Sequence, residues 1–313
     1  MRTLLRGRWR KLFAALAGAF LLVLLFAHPW FAVTRPRGGK ALVAEGWMHT
    51  EGLRETAKLF GHGSYDRLYL TGTIRPFAYY LFSGDSVHVD FETAQHGLLK
   101  LGIGGLPGAT WELNALGEVL LSGTVDGAVE EHTIRIPEKG LWDCSLVIRS
   151  ATSPGPEVPV AFVARFTVDE HNVHGLMSGM SINQVDGTVR QGEPTYAEQG
   201  RSALLKEGVP ADRITVVPTL QVERSRTWSS ARSFTSYAAA NGITRYDVAT
   251  LGVHARRTWR MYRKAAGTDE GVGIISLHDR WCQRWTWWTN YYGWYQMGKE
   301  LVAWPAPFLV EEQ

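Results

Sequence analysis

Two arginine-rich clusters stand where this chain could hold an anion: Arg224, Arg226 and Thr227 in one, and Arg256 and Arg257 just after His254 in the other. A guanidinium is planar, permanently charged and forked, which suits paired phosphate or carboxylate oxygens. His254 and Glu45 are the candidates for proton transfer, because imidazole is the side chain that exchanges protons most readily near neutral pH and a carboxylate can partner it. Glu198 is a second carboxylate for the same crevice, and Thr71 and Gly72 offer a hydroxyl and a close-approaching backbone. The structural alternative is that Glu45 and Glu198 pair with the arginines and staple loops, since ion-pair networks gather in such places too. Taken alone, His254 reads as a structural residue; taken together, the set reads as a ligand site. No metal and no cofactor is expected. His278 and Asp279 adjoin Arg280, His171 and His174 read as surface residues, and no HxH, HxxxH or CxxC spacing occurs. A GxSxG elbow is also lacking, and the glycines at 102–105 read as a turn.

These residues meet only if the elements carrying them end on one side of a sheet. Lys40–Ala44 reads as a short buried strand closed by Glu45, Gly46 and Trp47, and Thr50–Phe60 places Leu53, Ala57 and Phe60 on one helical face with Thr50 as its cap. A second strand, Arg67–Leu70, ends at Thr71, Gly72 and Thr73. Strand, helix and strand in so short a span form a βαβ unit, expected to be parallel and right-handed. From Phe77 the helical period vanishes and short alternating runs separated by Gly, Pro or Asn take over, the pattern of a β-sandwich. Helix and strand texture returns near Tyr196, with strands at 214–217, 247–252 and 272–277 and helices at 197–207, 225–241 and 256–266. The predicted fold is α/β: a Rossmann-like parallel sheet split between 40–76 and 176–313, with an all-β sandwich inserted at 77–175. Ligands of such sheets bind beyond the carboxyl ends of the strands. All the candidates except Glu198 fall there, and two of the clusters also stand near helix N-termini, whose N–H groups favour anions.

Ahead of this domain lies a basic head, residues 1–11, and then an uncharged run through 12–33. That run matches a bilayer core of roughly 30 Å. One transmembrane helix is predicted, with the N-terminus cytoplasmic by the density of positive charge in the head and the rest of the chain extracytoplasmic. A cleaved signal peptide is the alternative, but the apolar run exceeds a signal core and ends Ala-His-Pro-Trp-Phe, without a small-x-small site. The net charge of +3 owes much to the head, so nucleic acid is not an expected partner. Cys144 and Cys282 would be free to pair in an oxidising compartment, although assignment to separate domains argues against a bridge. The chain holds 13 tryptophans, many of them crowded into its last third. Trp281, Trp285, Trp288 and Tyr292 recur at helical spacing, yet Trp287, Tyr291, Trp294 and Tyr295 fall on other faces. Core packing, contact with a membrane surface or polyprenyl chain, and sugar stacking all remain open for this tail.

Several segments together resemble the ElyC/SanA/YdcF family of bacterial envelope proteins: ALVAEGW at 41–47, Tyr196-Ala197-Glu198, EGVPADRI at 207–214, Arg224-Ser225-Arg226-Thr227, and GVHARRTW at 252–259. The resemblance covers both halves of the α/β part. It implies a doubly wound α/β domain exported on an N-terminal helix, held in a bacterial inner membrane with its ectodomain in the periplasm, and linked to envelope integrity and surface-polymer metabolism. The chain departs from the family pattern around Thr227, where Arg226 and Ser229-Ser230 stand in place of the usual serine and acid, and by carrying the insertion. The insertion is loosely similar to small carbohydrate-binding sandwiches of the xylan-binding type, without their Asp-rich calcium loop. The expected function is therefore binding or processing of an anionic, phosphorylated or lipid-linked sugar intermediate, with phosphoester or pyrophosphate chemistry if there is turnover. A non-catalytic polysaccharide-binding or assembly factor is a second expectation, and a nucleotide- or methyl-donor-binding protein a third.

Overall fold

A computed structural model of the protein describes residues 2–150, 155 and 158–305; Met1 of the basic head and residues 306–313 of the α/β segment lie outside them. The described chain forms two compact units, residues 1–73 with 196–313 and residues 74–195. The first opens with helix α1 (Arg2–Phe31). Its stretch Phe13–Phe31 has the length and apolarity shared by membrane spans and signal sequences, and it is not buried inside the protein. Strand β1 (Ala41–Glu45), helix α2 (Thr50–His62) and strand β2 (Arg67–Thr73) follow. His49, not Thr50, caps α2, its Nδ1 accepting from the Gly52 amide at 3.3 Å.

The chain then builds the second unit from strands β3 (Tyr79–Leu81), β4 (Ser86–Gln95), β5 (Leu98–Gly105), β6 (Thr110–Ala115), β7 (Glu118–Thr124), β8 (Glu130–Arg135), β9 (Leu141–Arg149), β10 (Ala161–Val168), β11 (His171–Asn172), β12 (Met177–Asn183) and β13 (Val189–Gln191). They form two antiparallel sheets, ordered β11-β10-β5-β8 with β3 beside β10, and β13-β12-β4-β9-β6-β7. Alternation of apolar and polar residues gives each sheet one inward face, and both contribute to a single core around Phe77, Leu101, Trp111, Leu146 and Phe166. Residues 176–195, expected from the sequence in the α/β part, pair here instead: Ile182 of β12 lies opposite Val87 of β4, and Arg190 of β13 opposite Ile182. His174 is likewise no surface residue. It is buried, bonded through Nε2 to the Tyr79 hydroxyl and through Nδ1 to the Arg75 carbonyl, and burial holds its imidazole down at about 4.

Returning to the first unit, the chain adds α3 (Tyr196–Lys206), β14 (Ile214–Thr219), α4 (Arg226–Ala240), β15 (Tyr246–Leu251), α5 (Ala255–Ala266), β16 (Val272–Leu277) and α6 (Tyr291–Ala303). The five strands form one parallel sheet, ordered β14-β2-β1-β15-β16. Every residue of β1 and β15 is buried, as a strand covered on both faces requires. Successive side chains take opposite faces. Leu42 and Ala44 join Leu53 of α2 and Leu204 of α3, while Ala41 and Val43 join Phe234 of α4 and Tyr262 of α5. The aromatic tail is not one helix. Residues 281–286 form turns, Trp287–Thr289 a single 3-10 turn, and α6 starts only where the Asn290 side chain accepts from the Gly293 amide. Cys144 and Cys282 are both free, both buried and in different units, so no bridge joins them.

Candidate functional site

The order of the parallel sheet reverses at β1: the chain moves outward through β2 to β14, then crosses back to place β15 on the other flank of β1. Loops leaving adjacent strands in opposite directions open a crevice at such a point. A cavity of about 520 Å³ lies there, lined by the residues that follow each strand: Trp47 after β1, Thr73 at the end of β2, Arg224, Arg226 and Thr227 after β14, and His254 and Arg257 after β15. Lys299 of α6 completes the cationic wall.

Each side chain is set by local structure. Arg224 adopts a left-handed backbone at φ 58°, a conformation that costs a non-glycine residue roughly 1–2 kcal/mol and so marks a constrained position. It delivers the chain to Ser225, whose Oγ accepts from the Trp228 amide at 3.2 Å and caps α4. The first turn of a helix leaves amides without intrahelical acceptors, and its dipole is positive. Arg226 and Thr227 therefore bring that favourable end to the cavity. Ser225→Ala is expected to remove about 1 kcal/mol of stability by loss of the cap, read as a lowered urea midpoint with an unchanged slope; an unchanged midpoint would mean that the Ser225 hydroxyl contributes nothing to α4.

Behind the cavity, α5 and α6 are joined by a buried network. Arg257 binds Glu300 with both arms of its fork, Nε to Oε2 at 2.8 Å and Nη2 to Oε1 at 3.0 Å, and its Nη1 donates to the Thr227 hydroxyl at 3.3 Å. His254 Nδ1 sits 2.5 Å from Glu300 Oε1. The Arg257 Nη2, which only donates, also approaches Nδ1 at 3.1 Å, but the shorter contact is to a carboxylate, which only accepts; we assign the Nδ1 proton to it, which leaves Nε2 as the ring nitrogen for the cavity. Trp47 packs edge-on against the same imidazole, with ring centroids 5.2 Å apart. Burial alone would push the Glu300 carboxyl up, but hydrogen bonds and charge from His254 and Arg257 outweigh it and hold the group down at about 2. Burial also lowers the Lys299 ammonium, with Glu300 opposing and the neighbouring Arg257 and Arg226 adding to the effect.

Not every residue expected at this site lines it. Glu45 is buried at the end of β1, where its Oε2 accepts from the Thr250 hydroxyl and, at 3.4 Å, from that of Thr258, while Oε1 has no hydrogen-bond partner. Thr71 is bonded to the Tyr262 hydroxyl at 3.1 Å within the sheet's packing. Gly72 serves close approach of another kind: a Cβ there would lie 2.5 Å from the Ala197 amide nitrogen. Arg256 turns away, bonding the Trp30 carbonyl and stacking 4.2 Å from the Trp30 ring centre. Glu198, half-buried in α3, is not among the lining residues. Glu300 and Lys299 join the site without having been singled out in the sequence, although a glutamate in so aromatic a helix was a signal that something must pair with it, and Ser230, noted only as a departure from the family pattern, lines the cavity as well. Among the described residues no cluster of His, Cys, Asp and Glu has the makings of a metal centre.

No family model matches the chain, and no curated protein matches it. Among solved structures it is similar to a PA14 sugar-binding domain from an RTX adhesin, at 8% identity over 35% of this chain and 52% of that one, with a TM-score of 0.17. It is also similar to the ferredoxin reductase in carbazole 1,9a-dioxygenase, at 11% identity over 62% of this chain and 66% of that one, with a TM-score of 0.16. The chain thus matches about half the length of the first and about two thirds of the second. Superpositions this loose carry nothing over to the site.

Proposed function

We propose that this is a membrane-anchored envelope protein that binds, and through His254 processes, an anionic sugar intermediate bearing phosphate, in free or lipid-linked form. The observation that carries the proposal is the cavity at the sheet's reversal point, where Arg224, Arg226, Arg257 and Lys299 surround the N-terminus of α4. Cations and helix amides converging on one space favour a multiply charged oxyanion. Phosphoester or pyrophosphate chemistry is the reaction class that fits: Arg226 and Arg257 would stabilise charge on the phosphoryl oxygens, and His254, oriented by Glu300, would move a proton at Nε2. The resemblance to the ElyC/SanA/YdcF family supports an envelope role and a Rossmann-like reading of the parallel sheet. The basic head supports an N-terminus in the cytoplasm with both units in the periplasm. A carbohydrate-binding role for the inserted unit draws support from Tyr80, exposed and stacked on Phe162 at 4.7 Å.

Arg226 is exposed, so Arg226→Glu tests the site without disturbing the core. Titration of the full chain in detergent with a polyprenyl-phosphate sugar and with the free sugar phosphate is expected to show binding weakened at least about tenfold in the variant, the scale of one charged hydrogen bond. Equal binding by the variant and the parent would remove the anion site. Glycan binding that needs no phosphate and survives the substitution would favour a non-catalytic polysaccharide-binding factor.

A further inference from the structure

Helix α6 is inside out. Its buried stripe is Gly293, Gln296, Met297 and Glu300, while its outward side carries Tyr291 at 84% exposure and Val302 at 80%, with Trp294, Tyr295 and Leu301 also exposed. A surface helix in water shows the reverse, an apolar stripe inward and polar residues outward. Exposed apolar surface of this extent marks contact with something other than water.

The contacts of this segment say what that is. His28 Nε2 is 2.8 Å from the Cys282 carbonyl, the Trp287 indole N–H donates to the Leu24 carbonyl at 3.3 Å, and Trp304 packs on the rings of Trp30 and Phe31. Every one of these partners belongs to the last two turns of the apolar stretch Phe13–Phe31. At 1.5 Å of rise per residue, Leu24 lies about 10 Å inside the end of that stretch. Elements bonded along it sit at the same depth, which is the depth to which interfacial helices bury their apolar faces, roughly 5–10 Å. Composition agrees. Guanidinium groups of Arg280 and Arg284 lie 4.5 and 4.6 Å from the ring centres of Trp281 and Trp285, pairing amphipathic rings with cations as interfacial belts do.

We infer that the outward face of α6, with the aromatic turn before it, is a membrane seat immersed in the lipid interface where α1 emerges. The inference rests on reading α1 as a membrane span, and it deepens the proposed function. Lys299 of this same helix lines the cavity and Glu300 orients His254 beside it, so one helix carries both a wall of the cavity and the lipid-immersed face. A substrate admitted there would keep its hydrocarbon chain in the bilayer while its phosphate enters among the arginines. The class so defined is a phosphate-bearing lipid.

The test uses the full chain reconstituted in vesicles of phosphatidylethanolamine and phosphatidylglycerol. Single cysteines are introduced by Tyr295→Cys, Val302→Cys, Leu21→Cys and Glu55→Cys and spin-labelled, which the burial of Cys144 and Cys282 permits. Collision of each label with oxygen, which concentrates in lipid, is compared with collision with a water-soluble nickel chelate. Labels at 295 and 302 are expected to show an oxygen-to-nickel ratio several-fold above that at 55 and close to that at 21. A ratio equal to that at 55, with 21 still in lipid, overturns the seat and leaves the span standing. Labels shielded from both reagents would mean that protein covers the face and would also overturn it. A label at 21 accessible to nickel removes the span and the seat together.

Discussion

Glu300→Gln is expected to destabilise the α/β unit by about 3–5 kcal/mol, the scale of losing one partner from a buried ion pair. The side chain of Glu300 is fully buried and that of Arg257 nearly so, and the substitution leaves a guanidinium facing a neutral amide. Urea unfolding of the full chain in detergent, followed by tryptophan fluorescence, measures the loss, since all but Trp111 and Trp142 of the 13 tryptophans lie in this unit. The same residue sets an acid limb. Its carboxyl is held at about 2 in the folded protein against 4.5 ordinarily, so between these values the unfolded chain binds more protons and stability falls as the pH falls. This contribution is fully present above pH 4.5, amounts to about 3 kcal/mol, and is lost as pH drops toward 2. In Glu300→Gln that limb should be missing. A variant with parental stability and a parental acid limb would show that Glu300 is not ionised against Arg257 and His254, and the assigned proton on His254 Nδ1 would fall with it.

Gly46→Ala is expected to cost about 3 kcal/mol, the upper end for forcing added volume into a packed interior. A Cβ at residue 46 would lie 2.1 Å from the Tyr196 carbonyl oxygen and 2.7 Å from its carbon. Both are backbone atoms, so no flexible side chain can yield; α3 must shift from the sheet or the end of β1 must move. Either displacement carries Trp47 off His254, and Tyr196 lines the cavity as well. Binding of a sugar phosphate should therefore weaken together with the urea midpoint. An alanine variant of full stability would mean that α3 does not hold this close approach. Gly61, with open space around its Cβ position, is the control that should tolerate alanine.

Much of this architecture was legible locally. The runs at 41–45 and 67–73 carry charge only at their ends and that at 246–251 only at Asp247 near its start, as strands covered on both faces require, and Gly267 stops α5 in a left-handed cap. Short strands were harder to see. Tyr79–Leu81 and His171–Asn172 hold too few residues to show a period, and 177–191 is too polar to separate a strand from a loop. The tail misled for a related reason: rings spaced by three and four suit a helix, but Asn290 caps the chain at Tyr291 and the preceding rings lie on turns.

By itself, then, the sequence determined the strands and helices of the parallel-sheet unit up to β16 and that Arg224, Arg226, Thr227, His254 and Arg257 stand after strand ends, because hydrophobic period and strand-end position are properties of neighbouring residues. Tertiary structure alone decided which of them meet. Arg256 and Arg257 are adjacent in the chain but point about 100° apart around α5, so one reaches Trp30 and the other the cavity. Glu45 is drawn into the sheet by the hydroxyls of Thr250 and Thr258, and the carboxylate that orients His254 comes instead from Glu300 on α6. That partnership depends on how α6 packs against α5, which no local pattern encodes.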